Sequence, residues 1–269
     1  MGEVADTMKV TLLKCWEEFE DASSREISKT RELREKRGRH ISYPLFRGVG
    51  DSRYPLKSSL ERLGKASSVS EYYRTVEVVH DHIETCTGKQ WNLDTRVRYG
   101  KFDLRSPEFM VYLRQKGFPS PLLDWTRCPY IAAFFAFRDI YHKPADGECV
   151  SIFVFREYCG RCKNWTLQKP HLYTIGPSIA TCRTHYLQRS EYSICVQERE
   201  GEMYFAHYED VRNDDENEQD ILVKYNIPMS EQDKVLRKLD LMNITAYSLF
   251  DSEPSLMDTL AVRELVLEM

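Results

Sequence analysis

Long apolar runs are missing from this sequence. The opening stretch, MGEVADTMKVTLLKCW, scatters charge among its apolar residues, and no run anywhere reaches the roughly eighteen residues a membrane span needs. A bilayer-crossing helix and a secretory leader are therefore not expected. Asp6 stands where a myristoylation signal after Gly2 would want Ser or Thr. The expectation is a cytoplasmic protein with no membrane contact. An excess of one charge is missing too. The 38 Lys and Arg face 42 Asp and Glu, for a net charge of −4. Contact with nucleic acid would have to come from a local patch. His and carboxylate clusters at metal-ligand spacing are absent, which disfavours a metal-dependent nuclease.

Pro, Gly or Ser-rich linkers and internal repeats are also lacking, so residues 1–269 are expected to form a single domain, with 1–40 as a helical extension and 41–269 as its core. The chain is 42% hydrophobic, with 16 Tyr and 12 Phe, enough for one large interior or two small ones. Its eight Cys are scattered. Cys149 and Cys195 sit in apolar surroundings and are expected to be reduced, buried thiols. Cys159 and Cys162 form the one tight pair, which reads as half a zinc site, a redox pair or a plain turn. With no two further ligands at suitable spacing, no metal is expected.

Periodicity sketches the elements. Val10, Leu12, Leu13, Trp16 and Phe19 follow helical spacing over 8–21. Residues 24–40 carry seven basic and three acidic side chains, either a solvated helix or a seat for RNA or an acidic partner. A strand over 41–48 should present Arg47 at its end. Helices are expected over 69–86, over 107–117 with Gly117 closing it, over 230–241 and over 254–268. Strands are expected at 148–155, 192–196, 202–208 and 221–225, with the acidic stretch 209–220 as a hairpin loop between the last two. Between them, Leu122 and Leu123 end an extended piece, 124–126 turn, and the all-apolar run Ile131 to Phe137 is a buried helix entered near Pro129. The fold class is α+β.

Three polar pieces interrupt this apolar pattern. Phe46-Arg47-Gly48 carries a guanidinium that cannot be buried alone; it pairs with an internal carboxylate such as Asp124, or it faces a ligand. Its flat fork suits a pyrophosphate or ribose, and Gly48 would let a ligand approach the backbone. Asp124-Trp125-Thr126 enters the buried helix, where Asp124 or Thr126 serves as a cap, as part of an anion site, or both. The third piece runs from Arg183 to Tyr192; within it Gln188 and Glu191 are candidates to stabilise a developing cation, or members of an ordinary loop.

These pieces resemble the FRG family. Its Phe/Tyr-Arg-Gly motif is matched by Phe46-Arg47-Gly48, and its long central motif by Gly117-Phe118-Pro119-Ser120-Pro121-Leu122-Leu123-Asp124-Trp125-Thr126. Arg183 with Gln188, and Ile244 through Ser248-Leu249-Phe250-Asp251, resemble later family elements. Gln115 falls where the family has His, and Pro121 where it has Arg. The order of the motifs also resembles the layout of ADP-ribosyltransferases. That likeness implies two small, mostly antiparallel sheets with flanking helices and an NAD cleft between them. It implies that Arg47 contacts phosphates or the adenosine ribose. Trp125 or Tyr43 would stack on nicotinamide, Thr126 would bond its ribose, and Gln188 or Glu191 would steady the ribose as the glycosidic bond breaks. The expectation is an NAD-consuming toxin of toxin–antitoxin or phage-defence type, with a neutralising antitoxin and an RNA, DNA or protein acceptor. The rival is a non-catalytic ligand-binding or adaptor module.

Overall fold

A computed structural model describes residues 8–38, 41–64, 68–99, 102–141, 148–158, 168–176, 179–211 and 220–268. Its elements in chain order are β1 (Lys9–Leu12), α1 (Trp16–Arg37), β2 (Leu45–Val49), α2 (Ser59–Arg62), α3 (Val69–Thr87), β3 (Arg96–Tyr99), β4 (Phe102–Arg105) and α4 (Pro107–Gln115). Next come β5 (Leu123–Thr126), α5 (Pro129–Phe137), β6 (Cys149–Arg156), β7 (His171–Ile175), α6 (Arg183–Leu187) and β8 (Ser190–Arg199). The chain closes with β9 (Glu202–Phe205), β10 (Ile221–Pro228), α7 (Gln232–Leu241), α8 (Ala246–Phe250) and α9 (Glu253–Ala261). The fold is α+β. No helix among the described residues is long and apolar enough to cross a membrane.

One eight-stranded sheet dominates, in the order β1-β10-β6-β2-β5-β8-β7, with β9 on β8; β3 and β4 make a separate hairpin. The two separate small sheets anticipated from motif order are thus joined into one. The join is slight. β6 and β10 pair along their lengths, from Ile221–Arg156 to Pro228–Cys149, whereas β2 meets β5 at Phe46–Thr126 alone. The sheet is two half-sheets that meet at a seam.

Alternation along the strands divides the interior. On one face, Phe46, Ile152 and Val154 pack with Trp16, Phe19, Ala132 and Val235 from α1, α5 and α7. Beyond the seam, Tyr192, Ile194 and Val196 pack with Val76 and Phe109 of α3 and α4. Leu45, Leu123, Trp125, Phe153 and Phe155 fill the opposite face. Different helices therefore cover most of each half-sheet, while α5 packs on both β2 and β5 at the seam.

Local chemistry explains most boundaries. A reciprocal capping box, Ser68 with Glu71, starts α3, and Gly88 in the left-handed region ends it. Pro129 occupies the first turn of α5, where its missing N–H costs nothing. Gly117, at φ 84°, follows α4 as its sequence position promised.

Four expectations are corrected. Residues 9–12 form an edge strand parallel to β10, not a helix. Val10 and Leu12 are exposed there, so their apparent helical spacing was coincident with alternation. Residues 123–126 are a strand, not a turn, because Leu123 and Trp125 on one face alternate with Asp124 and Thr126 on the other. The segment after α6 is not a loop: β8 begins at Ser190 and takes in Glu191. β9 and β10 do not form a hairpin, since β9 pairs with β8 and β10 with β6. Cys159 and Cys162 lie outside the described residues, as does most of the acidic stretch after Val211.

Candidate functional site at the sheet seam

The seam leaves an acceptor open. β2 and β5 part after Phe46–Thr126, so the Asp124 carbonyl needs a donor from elsewhere. Arg47 supplies it: Nη1 donates to the Asp124 carbonyl oxygen at 2.7 Å and lies 2.9 Å from Asp124 Oδ2. Arg47 is in the middle of β2, not at its end. A second guanidinium, from Arg114 in the last turn of α4, donates through Nε to Asp124 Oδ1 at 2.8 Å and pairs with it again through Nη2. The Arg47 and Arg114 side chains are only 13% and 16% exposed, against 37% for Asp124.

This pairing sets the charge of the site. Burial opposes ionisation of Asp124, but the two guanidiniums outweigh it and hold its carboxyl well below the usual carboxylate range. Arg62 lies close enough that, after burial, Arg47 and Arg114 are the main causes pulling its pKa below the ordinary value. It stays protonated. Glu61 beside it is engaged with the Ser58 N–H at 2.7 Å and with His207 at 2.9 Å. Two guanidiniums thus hold one carboxylate, and a third, Arg62, lies within electrostatic reach of them.

A cavity of about 240 Å³ opens on this cluster, lined by Arg47, Gly48, Asp124, Trp125, Thr126 and Gln188 among others. Polar residues from three distant segments are therefore gathered in one place, as their shared isolation in apolar sequence suggested. Thr126 is buried. Its Oγ1 donates to the Gln188 carbonyl at 2.7 Å and accepts from the Cys128 N–H at 3.1 Å, tying β5, α5 and α6 together. Gln188 is buried too, and its Nε2 donates to the Leu249 carbonyl at 3.2 Å. Nearby, Arg183 lies 3.1 Å from Asp251, so the two later motif elements also meet.

Several assigned roles shift. What approaches Gly48 is a helix. A Cβ there would stand 1.9 Å from the Ala132 carbonyl oxygen and 2.7 Å from the Ala136 nitrogen, so the glycine lets α5 lie against β2. α5 begins at Pro129 with Cys128 as its N-cap, not at Thr126, and it meets the cavity through Ala132 and Phe135. The Trp125 ring is in the core, with Nε1 on Ser193 Oγ at 2.7 Å and Phe155 at 5.7 Å. Tyr43 and Glu191 are outside the cavity. Tyr43, 51% exposed, lies against the guanidiniums of Arg34 and Arg127. Glu191 is buried and ion-paired with Arg127; burial raises its pKa, which Arg127 only partly offsets.

Other participants carried no clear signal. Arg114 sits on an amphipathic helix where a charged side chain reads as surface, and Arg62 ends a four-residue helix. At the position of the family His, Gln115 donates to the Tyr192 hydroxyl at 2.8 Å, and His185 Nδ1 lies 3.1 Å from the same oxygen.

The site therefore defines a class: an α+β protein with a polar cavity, lined by an Arg–Asp pair, where two half-sheets meet. Residues 42–144 match the family model of the FRG domain, so the chain carries an FRG domain over that stretch. It holds Arg47, Gly48, Arg62, Arg114, Asp124, Trp125, Thr126 and all of α5, while Gln188 lies beyond it. No curated protein and no solved structure matches the chain.

Proposed function

We propose that this chain is an NAD-dependent mono-ADP-ribosyltransferase acting inside the cell as a toxin or anti-phage effector. The observation that carries the reading is the cavity at the seam, lined by Arg47, Asp124, Thr126 and Gln188, with Arg114 bracing Asp124 from outside the lining. Planar guanidiniums suit the oxygens of a pyrophosphate. Asp124 keeps two of them oriented, a preorganisation that spares the bound state the cost of ordering them. In the reaction, the bond between ribose C1′ and nicotinamide breaks, and nicotinamide leaves with the bonding pair. A nucleophile on the acceptor then bonds to C1′ and loses its proton. The ribose passes through an oxocarbenium-like state, which favours nearby dipoles and negative charge over the ground state. Thr126 and Gln188 are the side chains nearest that role. The acceptor is a macromolecule, with RNA, DNA and protein as the candidates, and a neutralising antitoxin protein is the expected partner.

A second reading is favoured by specific pairings. Arg47 has an internal carboxylate, and Glu191 is held by Arg127 away from the cavity. Both suit a non-catalytic ligand-binding or adaptor domain. Incubating the purified protein with NAD separates the readings. Release of nicotinamide supports the transferase; tight nucleotide binding without release supports the adaptor.

A further inference from the structure

The seam cavity is small for the ligand proposed for it. About 240 Å³ is below the range of roughly 300–1,000 Å³ usual for small-molecule sites. A larger chamber, about 440 Å³, adjoins it, and Gly50 and Phe135 line both. This second chamber opens to solvent and is lined by residues of α5, α7, α8 and α9 and the loop after α5. Phe134, Phe135, Leu236 and Ile244 give it apolar walls. The Arg138 guanidinium lies over the Phe134 and Phe250 rings, at 5.5 and 5.1 Å, and so presents a flat cationic surface at the wall.

Most polar groups of the chamber are already engaged. Asp240 accepts from Arg263 at 2.8 Å, Thr259 bonds Tyr247 and Ser255, and Asp139 accepts from the Tyr141 N–H. Asp258 is held only loosely, 3.9 Å from Arg138. The chamber thus combines flat apolar and cationic surfaces with a carboxylate ready to accept a hydrogen bond. Those surfaces match a planar aromatic ring carrying an amino group.

Resting on the reading of the seam cavity as a nucleotide site, we propose that this chamber holds the purine base of the ligand whose phosphates lie beside Arg47. Gly50 and Phe135 stand at the boundary of the two parts and line both. The base lies against Phe135 and Arg138, and its exocyclic amino group donates to Asp258. The substrate class is therefore an amino-purine nucleotide with a pyrophosphate.

Calorimetric titration of the full chain with ADP-ribose, its hypoxanthine analogue and inorganic pyrophosphate tests this. Ile140→Trp, on the loop after α5, should fill the chamber and weaken ADP-ribose binding at least about tenfold while leaving pyrophosphate binding unchanged. The parent protein should prefer adenine over hypoxanthine; Asp258→Asn, at an exposed position, should abolish that preference, and it keeps the test open should the first variant fail to fold. Unchanged ADP-ribose affinity in a folded Ile140→Trp protein, or no adenine preference in the parent, overturns the proposal. If ADP-ribose binds as described but NAD is never cleaved, the transferase reading falls and the base chamber stands. If NAD is cleaved and Ile140→Trp changes nothing, the chamber falls alone.

Discussion

The two flanks of β6 and β2 are built by different means. β6 pairs with β10 along eight residues, so main-chain hydrogen bonds join them. β2 meets β5 at one pair, and beyond it side chains take over: Arg47 and Arg114 close on Asp124, and Thr126 on Gln188. A continuous ladder leaves no room for a ligand, because every donor and acceptor is used at 4.7–4.9 Å strand spacing. An interrupted ladder must recruit polar side chains to satisfy the freed groups, and those side chains line a cavity. The same interruption that weakens the sheet creates the site.

The largest effect is expected where the seam is clamped from one side. Gly48→Ala would drive a methyl into the α5 backbone, and cores resist such overpacking. The expected cost is about 3 kcal/mol or more in denaturant unfolding. Gly50→Ala, whose added Cβ would make ordinary contact at 3.6 Å with the Ala136 carbonyl, should cost less than about 1 kcal/mol. Equal costs would show that the close approach of α5 is not what the glycine serves.

Asp124→Asn comes next. Breaking a fully buried pair costs about 3–5 kcal/mol, but Asp124 is 37% exposed and solvent screens it, so about 2 kcal/mol is expected. The pH dependence has a definite sign. The Asp124 pKa is depressed in the fold, so its contribution is present above the unfolded carboxylate value and is lost as pH falls. The Asn variant should show a shallower loss of stability below about pH 4 than the parent.

Glu191 should behave oppositely. Its pKa is raised by burial, so folding favours the protonated form, and its effect on stability worsens as pH rises through the carboxylate range toward the raised value. Glu191→Gln should therefore remove a downward trend with rising pH and cost less than Asp124→Asn, by thermal unfolding across pH 4–7. If both variants shift the pH profile in the same direction, the contrast between the two arginine-paired carboxylates is wrong. The smallest effect belongs to Tyr43→Ala. This half-exposed ring lies outside the cavity, so stability should change by no more than about 1 kcal/mol and ADP-ribose affinity should not change.

What the sequence revealed follows the same division. The helix over 131–137 was legible because it is apolar on every side. The convergence of Arg47, Asp124 and Thr126 was legible because each is polar beside an apolar stretch; Gln188 stands in a polar segment and was tied to them only by the order of the motifs. The strand 123–126 was hidden, because four residues give period two little room to show itself, and Asp and Thr mimic a turn. β1 was hidden because its alternating residues also fit the register of the helix that follows. Arg114 was unreadable since its partner, Asp124, is ten residues away and the pairing depends on how α4 lies over the seam. Gly48 was noticed for its freedom, but only packing shows that α5 uses it.

The most direct test of the central claim is incubation of purified protein with labelled NAD and separate pools of RNA, DNA and protein, comparing the parent with Arg47→Ala. Arg114 still holds Asp124 in the variant, so circular dichroism should report an intact fold. The account predicts nicotinamide release and label in one macromolecular pool with the parent, and at least about a hundredfold less with the variant. Parent protein that neither releases nicotinamide nor labels any pool, or a folded variant as active as the parent, would contradict it.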